Sequence, residues 1–179
     1  MAKISVSWQK FLHEPLRALQ DGGLLLTSLD ASGRPNPMTI GWASQGIYWG
    51  QPIAVVMVRP SRYTFGCIEM TNDFTVSIPY PSLSEQVALC GTRSGRNTDK
   101  FEECGFTPVN VEAVRSPGIE QCGLTFFCRC VHRNDVLPSQ LDESLVRACY
   151  PSDDFHRFYY GQIVETLADE DFAQRFSAS

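Results

Sequence analysis

Long apolar stretches are missing from this chain. No run approaches the ~20 residues that a bilayer-spanning helix needs, and the longest, Ile53–Val58, has the length of a strand. The opening residues, Met1-Ala-Lys-Ile-Ser-Val-Ser-Trp8, lack the apolar core of a secretory signal, so a cytoplasmic protein that does not touch membranes is expected. There is no N-x-[ST] sequon and no CxxC pair. The seven cysteines are odd in number, and a chain of 179 residues is too large to need a disulfide framework. They read as reduced thiols. Cys122, Cys128 and Cys130 lack zinc-ligand spacing, and no metal is expected. No GxGxxG follows the first strand, which argues against a doubly wound dinucleotide-binding sheet. Internal repeats, low-complexity tracts and linkers are also lacking, so one domain over residues 1–179 is expected.

Positive charge is scarce as well. A net charge of −5 excludes broad nucleic-acid binding. The basic residues are nevertheless uneven, with Arg59, Arg62, Arg93, Arg96 and Lys100 within about a quarter of the chain. An acidic protein with a local basic cluster points to a small anionic ligand.

What is present is mainly β-patterned. Helical spacing over residues 8–20 (Trp8, Phe11, Leu12, Leu16, Leu19) ends at Gly22-Gly23. Leu24–Leu29 leads through a turn at Asp30–Gly33 into a strand from Asn36 toward Trp42. Ile53–Val58 suits a strand buried on both faces, and Pro60 marks the start of a helix to about Asn72. Phe74, Val76 and Ile78 alternate with polar Thr75 and Ser77 as a half-buried strand does. Short helices are expected at Ser82–Cys90, Thr98–Cys104 and Ser139–Cys149, and strands at Gly123–His132 and Phe155–Leu167. Strands with scattered short helices and no βαβ rhythm give an α+β, mainly β protein built on an antiparallel barrel.

Three segments carry chemistry. In Arg59-Pro-Ser-Arg-Tyr-Thr64 a helix start follows a buried strand; unpaired first-turn N–H groups, the hydroxyls of Ser61 and Thr64 and the guanidinium groups of Arg59 and Arg62 make a phosphate cradle without a glycine-rich loop. The same residues also read as a solvated helix cap. The loop Cys90-Gly-Thr-Arg-Ser-Gly-Arg-Asn-Thr-Asp-Lys-Phe101 either wraps a phosphorylated ligand, with Lys100 as a point charge, or is a surface turn whose Thr98 caps the next helix. In Asn36-Pro-Met-Thr-Ile-Gly-Trp42 and Tyr48-Trp49, Gly41 permits close approach to the backbone; the aromatics either wall a planar ring or belong to the core. Cys128 and Cys130 share a strand face and read as small core residues, and His13 and His132 as structural.

Taken in order, Asn36–Trp42, Arg59–Thr64, Phe74-Thr-Val-Ser-Ile-Pro79, Ser94-Gly-Arg-Asn-Thr-Asp-Lys-Phe101 and His156-Arg-Phe-Tyr-Tyr-Gly-Gln-Ile-Val164 resemble the flavin-reductase-like domain family, the FMN-binding split barrels that include flavoredoxins. The resemblance covers roughly residues 20–165. It implies a split β-barrel with short peripheral helices, forming a homodimer with one FMN per subunit near the interface. It also implies that the backbone around Asn36, Met38, Thr39, Ile40, Gly41 and Trp42 faces the flavin ring. Arg59, Ser61, Arg62, Tyr63 and Thr64 would surround the phosphate, and the loop carrying Ser94, Gly95, Arg96, Lys100 and Phe101 would close over the cofactor. The redox chemistry then belongs to the flavin, with backbone N–H groups stabilising charge at its edge, and no side chain is nominated as catalytic acid or base. His156 stands either at the nicotinamide or as a surface or interface histidine. The partners implied are NAD(P)H or a redox protein. The activity implied is an NAD(P)H-dependent flavin oxidoreductase, with a flavoredoxin-type electron carrier or a non-catalytic flavin-binding module as alternatives. Asn97 and Gln162 depart from the family's common Asp and Glu; both concern hydrogen bonding near the ligand and neither removes a phosphate contact.

Overall fold

The computed structural model describes residues 3–177. In chain order it comprises β1 (Lys3–Ser5), α1 (Glu14–Asp21), β2 (Leu24–Leu29), β3 (Pro35–Ile40), β4 (Ala43–Tyr48) and β5 (Gln51–Val58). Then follow α2 (Tyr63–Thr71), β6 (Asp73–Ile78), α3 (Ser84–Thr92), α4 (Lys100–Cys104), β7 (Pro108–Val111) and β8 (Val114–Ile119). The chain ends with β9 (Leu124–Asp135), α5 (Glu143–Cys149), β10 (Arg157–Asp169) and α6 (Phe172–Ser177). Among the described residues no helix is long and apolar enough to cross a membrane.

The main sheet has eight strands, all antiparallel, in the order β3-β2-β6-β9-β10-β5-β4, with β1 joined to β10. Its two edges, β3 and β4, are consecutive in sequence with only Gly41 and Trp42 between them. Six strand spacings in a flat sheet would put those edges ~29 Å apart. The chain from Ile40 to Ala43 reaches at most ~11 Å. The sheet must therefore curl until its edges meet at Gly41-Trp42, which makes it a barrel with an unbonded seam.

Burial on both faces of β2 explains what surrounds the barrel. Leu24 and Leu26 join the inner core with Val56, Phe74, Phe126 and Tyr159. Leu25, pointing the other way, joins Val87, Cys90, Phe101, Phe106, Ile119 and Cys122 in an outer cluster beneath α3 and α4. That outer cluster fixes α3 and α4 beside β3, and with them the loop that joins the two helices. At Gly161 the bulged strand β10 crosses the core so closely that a Cβ would come 2.5 Å from Phe74 Cζ.

Several boundaries differ from the sequence expectation. The helix expected over 8–20 is divided into a short 3-10 turn, Trp8–Lys10, and α1. Pro15 would cost about 3 kcal/mol in a helix interior, so α1 starts at Glu14 and keeps the proline in its first turn. The helix after the cradle begins at Tyr63, not Pro60: Pro60 sits in a turn closed by Arg62 N–H on the Arg59 carbonyl at 3.0 Å. Trp42 and Trp49 are 42% and 64% exposed, so neither is a core aromatic. β4, β7 and β8 were not visible as separate strands in the sequence.

Candidate functional site

Segments far apart in sequence meet around one cleft of about 330 Å³. One wall is β3, from Asn36 to Ile40, continued by Gly41 and Trp42. Facing it are Arg59, Ser61, Arg62, Tyr63 and Thr64, on the turn and start of α2, and Ser94, Gly95 and Arg96 on the loop after α3. Lys100 and His156 complete the set. Of the residues nominated from the sequence only Phe101 lies elsewhere. It is 6% exposed in the outer cluster, edge-on to Phe106, because the turn of α4 that brings Lys100 toward β3 directs the next residue into the apolar layer. Cys90, Gly91, Thr92 and Arg93, from the loop expected to wrap a phosphorylated ligand, line the cleft as well, and Met57 joins them without having been singled out. Met57 was concealed inside an apolar run.

The lining carries five cationic side chains (Arg59, Arg62, Arg93, Arg96 and Lys100) and no carboxylate, in a chain whose net charge is −5. These cations are not equivalent. Arg59 lies over the Tyr150 ring and donates to the carbonyls of Cys149 (2.8 Å) and Asp154 (3.0 Å), so its fork is engaged by the protein. Lys100 is 3% exposed, and its Nζ donates to the carbonyls of Pro37 (2.7 Å) and Cys90 (3.1 Å); burial lowers its pKa. It stitches β3 to α3 instead of standing free as a point charge. Arg96 stacks on Tyr63 and reaches the Ser61 carbonyl. Among the described residues the guanidinium groups of Arg62 and Arg93 make no hydrogen bond or ion pair.

Arg62 is the N-cap of α2, in an extended conformation (φ −76°, ψ 140°), and no side chain caps the helix. The Phe65 N–H turns back to the Arg62 carbonyl at 3.1 Å, which leaves the Tyr63 and Thr64 N–H groups for solvent or an anion. The Ser61 hydroxyl donates to the Asp154 carboxylate, and Thr64 Oγ1, 1% exposed, accepts from Asn36 Nδ2 at 2.8 Å. The Asn36 Oδ1 atom is buried and has no partner. Above it, Gly95 comes so near that a Cβ would overlap Oδ1 and stand 2.9 Å from Tyr63 Cδ1. The loop is held there by Arg34, whose guanidinium donates to the Gly95 carbonyl at 3.0 Å while pairing with Asp30. Burial alone would raise the Asp30 carboxyl. Hydrogen bonds from Ser32 and Arg34 outweigh that and bring it to about 2. Arg34 is a positioning residue that no sequence pattern singles out. The helix after the loop is capped by Asp99, which accepts from Glu102 N–H at 3.2 Å, and not by Thr98.

At the other flank, Trp42 packs on His156 with ring centroids 4.8 Å apart, and the Tyr150 hydroxyl contacts His156 Nδ1 at 2.9 Å. Burial, and then the charge of Arg59 with a smaller share from Arg62, push the His156 pKa down to about 4. The ring is neutral at pH 7. Among the described residues, and apart from Gly41 itself and its neighbours Ile40 and Trp42, no atom lies within 4 Å of where a Gly41 Cβ would stand. β3 is a sheet edge, and of its outward positions Pro35, Pro37 and Thr39 only Thr39 carries an N–H, which has no ladder partner. Gln162 accepts from Arg129 at 2.8 Å and Asn97 is exposed; neither lines the cleft. The thiols of Cys67 and Cys90, raised by burial to about 11 and about 12, are protonated at neutral pH. Among the described residues no cluster of three or more potential metal ligands occurs.

An orphaned acceptor, an uncapped helix start, two uncommitted guanidinium groups and apolar walls from Met38, Trp42 and Met57 fit a ligand with hydroxyl donors, a terminal dianion and a planar ring. FMN has all three. A family model described as "Flavin reductase like domain" matches residues 16–175. The flavoredoxin of Desulfovibrio vulgaris (Miyazaki F) superposes with a TM-score of 0.67 at 26% identity, covering 83% of this chain and 69% of that one. The flavoredoxin from Methanosarcina acetivorans gives a TM-score of 0.67 at 25% identity over 96% of this chain and 77% of that one. An uncharacterised protein of Archaeoglobus fulgidus is 34% identical over 109 residues, 60% of this chain and 61% of that protein. The match thus spans about three fifths of that relative.

Proposed function

We propose that this chain, which belongs to the flavin reductase-like domain family, binds FMN in the cleft and works as an NAD(P)H-dependent flavin oxidoreductase. The observation that carries the reading is the five-cation, carboxylate-free lining beside Met38, Trp42 and Met57 in a cleft of about 330 Å³, within the usual size range of cofactor sites. Arg62, Arg93 and the Tyr63 and Thr64 N–H groups hold the phosphate. Asn36 Oδ1 accepts from a hydroxyl of the ligand, and Trp42 with the Met38–Gly41 backbone borders the ring. FMN, when bound, supplies the hydride-accepting group. The chain's part is to orient it and to offer the Thr39 N–H and the backbone of the Gly41-Trp42 turn where negative charge grows. Neutral His156, held by Tyr150 and Trp42, presents an uncharged edge to an incoming nicotinamide.

The test is direct. The purified protein should take up one FMN per chain, and anaerobic NADH or NADPH should bleach its visible absorbance rapidly. A protein that takes up no FMN overturns the assignment. A second reading, an electron carrier charged by a partner protein, is favoured by the likeness to two flavoredoxins. Slow bleaching by nicotinamides, with fast reduction by a low-potential carrier, selects it.

A homodimer is part of the proposal, as is residence in the cytoplasm. Ile47 and Trp49, on and beside the edge strand β4, are 59% and 64% exposed and adjoin Tyr48, Tyr160 and His132. Such an apolar patch at a sheet edge is a surface for a second copy. Sedimentation at micromolar concentration should give twice the mass of one chain, and a monomer there refutes it.

A further inference from the structure

Cys90 lies near the end of α3 and Cys104 ends α4, and their sulfur atoms stand 3.9 Å apart. Cys90 is 1% exposed, whereas Cys104 is partly exposed. The segment between them, 91–103, holds a third of the residues that line the cleft: Gly91 to Arg96, and Lys100. In the thiol form the two arms of this segment are pinned by Lys100 on the Pro37 and Cys90 carbonyls and by Arg34 on the Gly95 carbonyl. A bond between the sulfurs would close the segment into a covalent ring at its base.

We propose that Cys90 and Cys104 form an oxidisable dithiol, a disulfide-forming site that ties off the loop over the cleft on exposure to a low-molecular-weight disulfide. Sulfurs already in contact need only small side-chain rotations to reach bonding distance. Cys104, the accessible member, attacks one sulfur of oxidised glutathione as thiolate. The glutathione S–S bond breaks, and the first glutathione leaves as a thiolate that takes up the proton Cys104 released. Cys90 then attacks Cys104 Sγ, the mixed disulfide breaks, and the second glutathione leaves with the Cys90 proton. Two protein thiols are oxidised to one disulfide, and one oxidised glutathione is reduced to two thiols. The raised pKa of both thiols makes the exchange slow at neutral pH, so the dithiol persists until exposure is sustained. The site does not depend on flavin.

The experiment incubates the full chain with excess oxidised glutathione at about pH 8.5, where more thiolate forms. The intact protein should lose ~2 Da, mapped without reductant to Cys90 joined to Cys104. Trypsin cleavage after Arg93 and Arg96 should slow roughly fivefold or more, as local opening of a tethered loop becomes rarer. Cys104→Ser should abolish both changes, and dithiothreitol on the wild type, a control independent of that variant's folding, should reverse them. A glutathione adduct that never closes, or a bond to another cysteine, overturns the site. A Cys90–Cys104 bond that leaves the cleavage rate unchanged overturns the tethering.

Discussion

Arg62→Ala isolates the anion-binding half of the cleft from the ring-binding half. Among the described residues the Arg62 guanidinium makes no hydrogen bond or ion pair, so truncation breaks no internal contact and the fold should be unaffected. Arg59 is a poor probe by comparison, because it supports the Cys149 and Asp154 carbonyls and the Tyr150 ring. Two charges ~4 Å apart interact by about 1 kcal/mol in water and about 4 kcal/mol near a protein surface. A charged hydrogen bond contributes about 1.5–3 kcal/mol net. Arg62 is exposed, which favours the lower half of that range, so FMN should weaken by roughly 10- to 50-fold. Riboflavin has the same ring and ribityl chain without the phosphate, and its affinity should change by about twofold or less. Titrating both flavins into wild type and variant, followed by quenching of flavin fluorescence, gives the ratio. Added salt should narrow the FMN difference, since an exposed charge is screened. Equal losses for the two flavins, or a loss confined to riboflavin, would refute the placement of the phosphate at α2.

Three further outcomes follow from the same geometry. Gly95→Ala should reduce FMN affinity roughly tenfold or more by driving the loop off Asn36, with thermal unfolding little changed, because the displaced segment is exposed on either side of Gly95; an unchanged affinity contradicts the close approach. Lys100→Met should destabilise the protein by about 1–3 kcal/mol in urea, leaving the Pro37 and Cys90 carbonyls without their donor; a neutral substitution rules out the stitching role. His156 should titrate by NMR near 4 in the flavin-free protein. Its folded pKa lies below the unfolded value of about 6.5, so the unfolded chain takes the proton first. This residue therefore has no effect on stability above about pH 6.5 and lowers it progressively toward pH 4. A midpoint of 6 to 7 would mean that the ring is solvated and that the Trp42 and Tyr150 contacts are absent.

The barrel and the cleft were legible in the sequence where one local pattern served one structural purpose. The apolar run ending in Val58 has one reading, a buried strand. The alternation in Phe74–Ile78 gives the strand but not its burial, because Thr75 and Ser77 are covered by β8 and β9 and hydrogen-bonded to the Pro117 carbonyl and to Thr125. Legibility failed where two demands met on a few residues. Pro60 has the φ of a first helical residue, but the same φ suits the second position of the turn before Arg62, and the turn prevails. Phe101 lies next to a cleft-lining lysine in sequence, yet the helical turn sends the two side chains to different layers. β4 is hidden because Ala43-Ser-Gln-Gly-Ile-Tyr48 buries too little to show a period. Arg34 and the Asp30 carboxylate reach the site through tertiary contacts with the Gly95 carbonyl and the Tyr63 hydroxyl, which no spacing reveals.

The join at Gly41-Trp42 gives the molecule an unusual dependence between holding its shape and holding its ligand. Two residues act as a clasp on a rolled sheet, and the same two form part of the pocket's rim. Lengthening the clasp by a few residues would break no rung of the strand ladder, yet it would let the roll relax and draw Trp42 away from His156. The length of that short hinge therefore bears on the shape of the barrel and on the rim of the cleft at once.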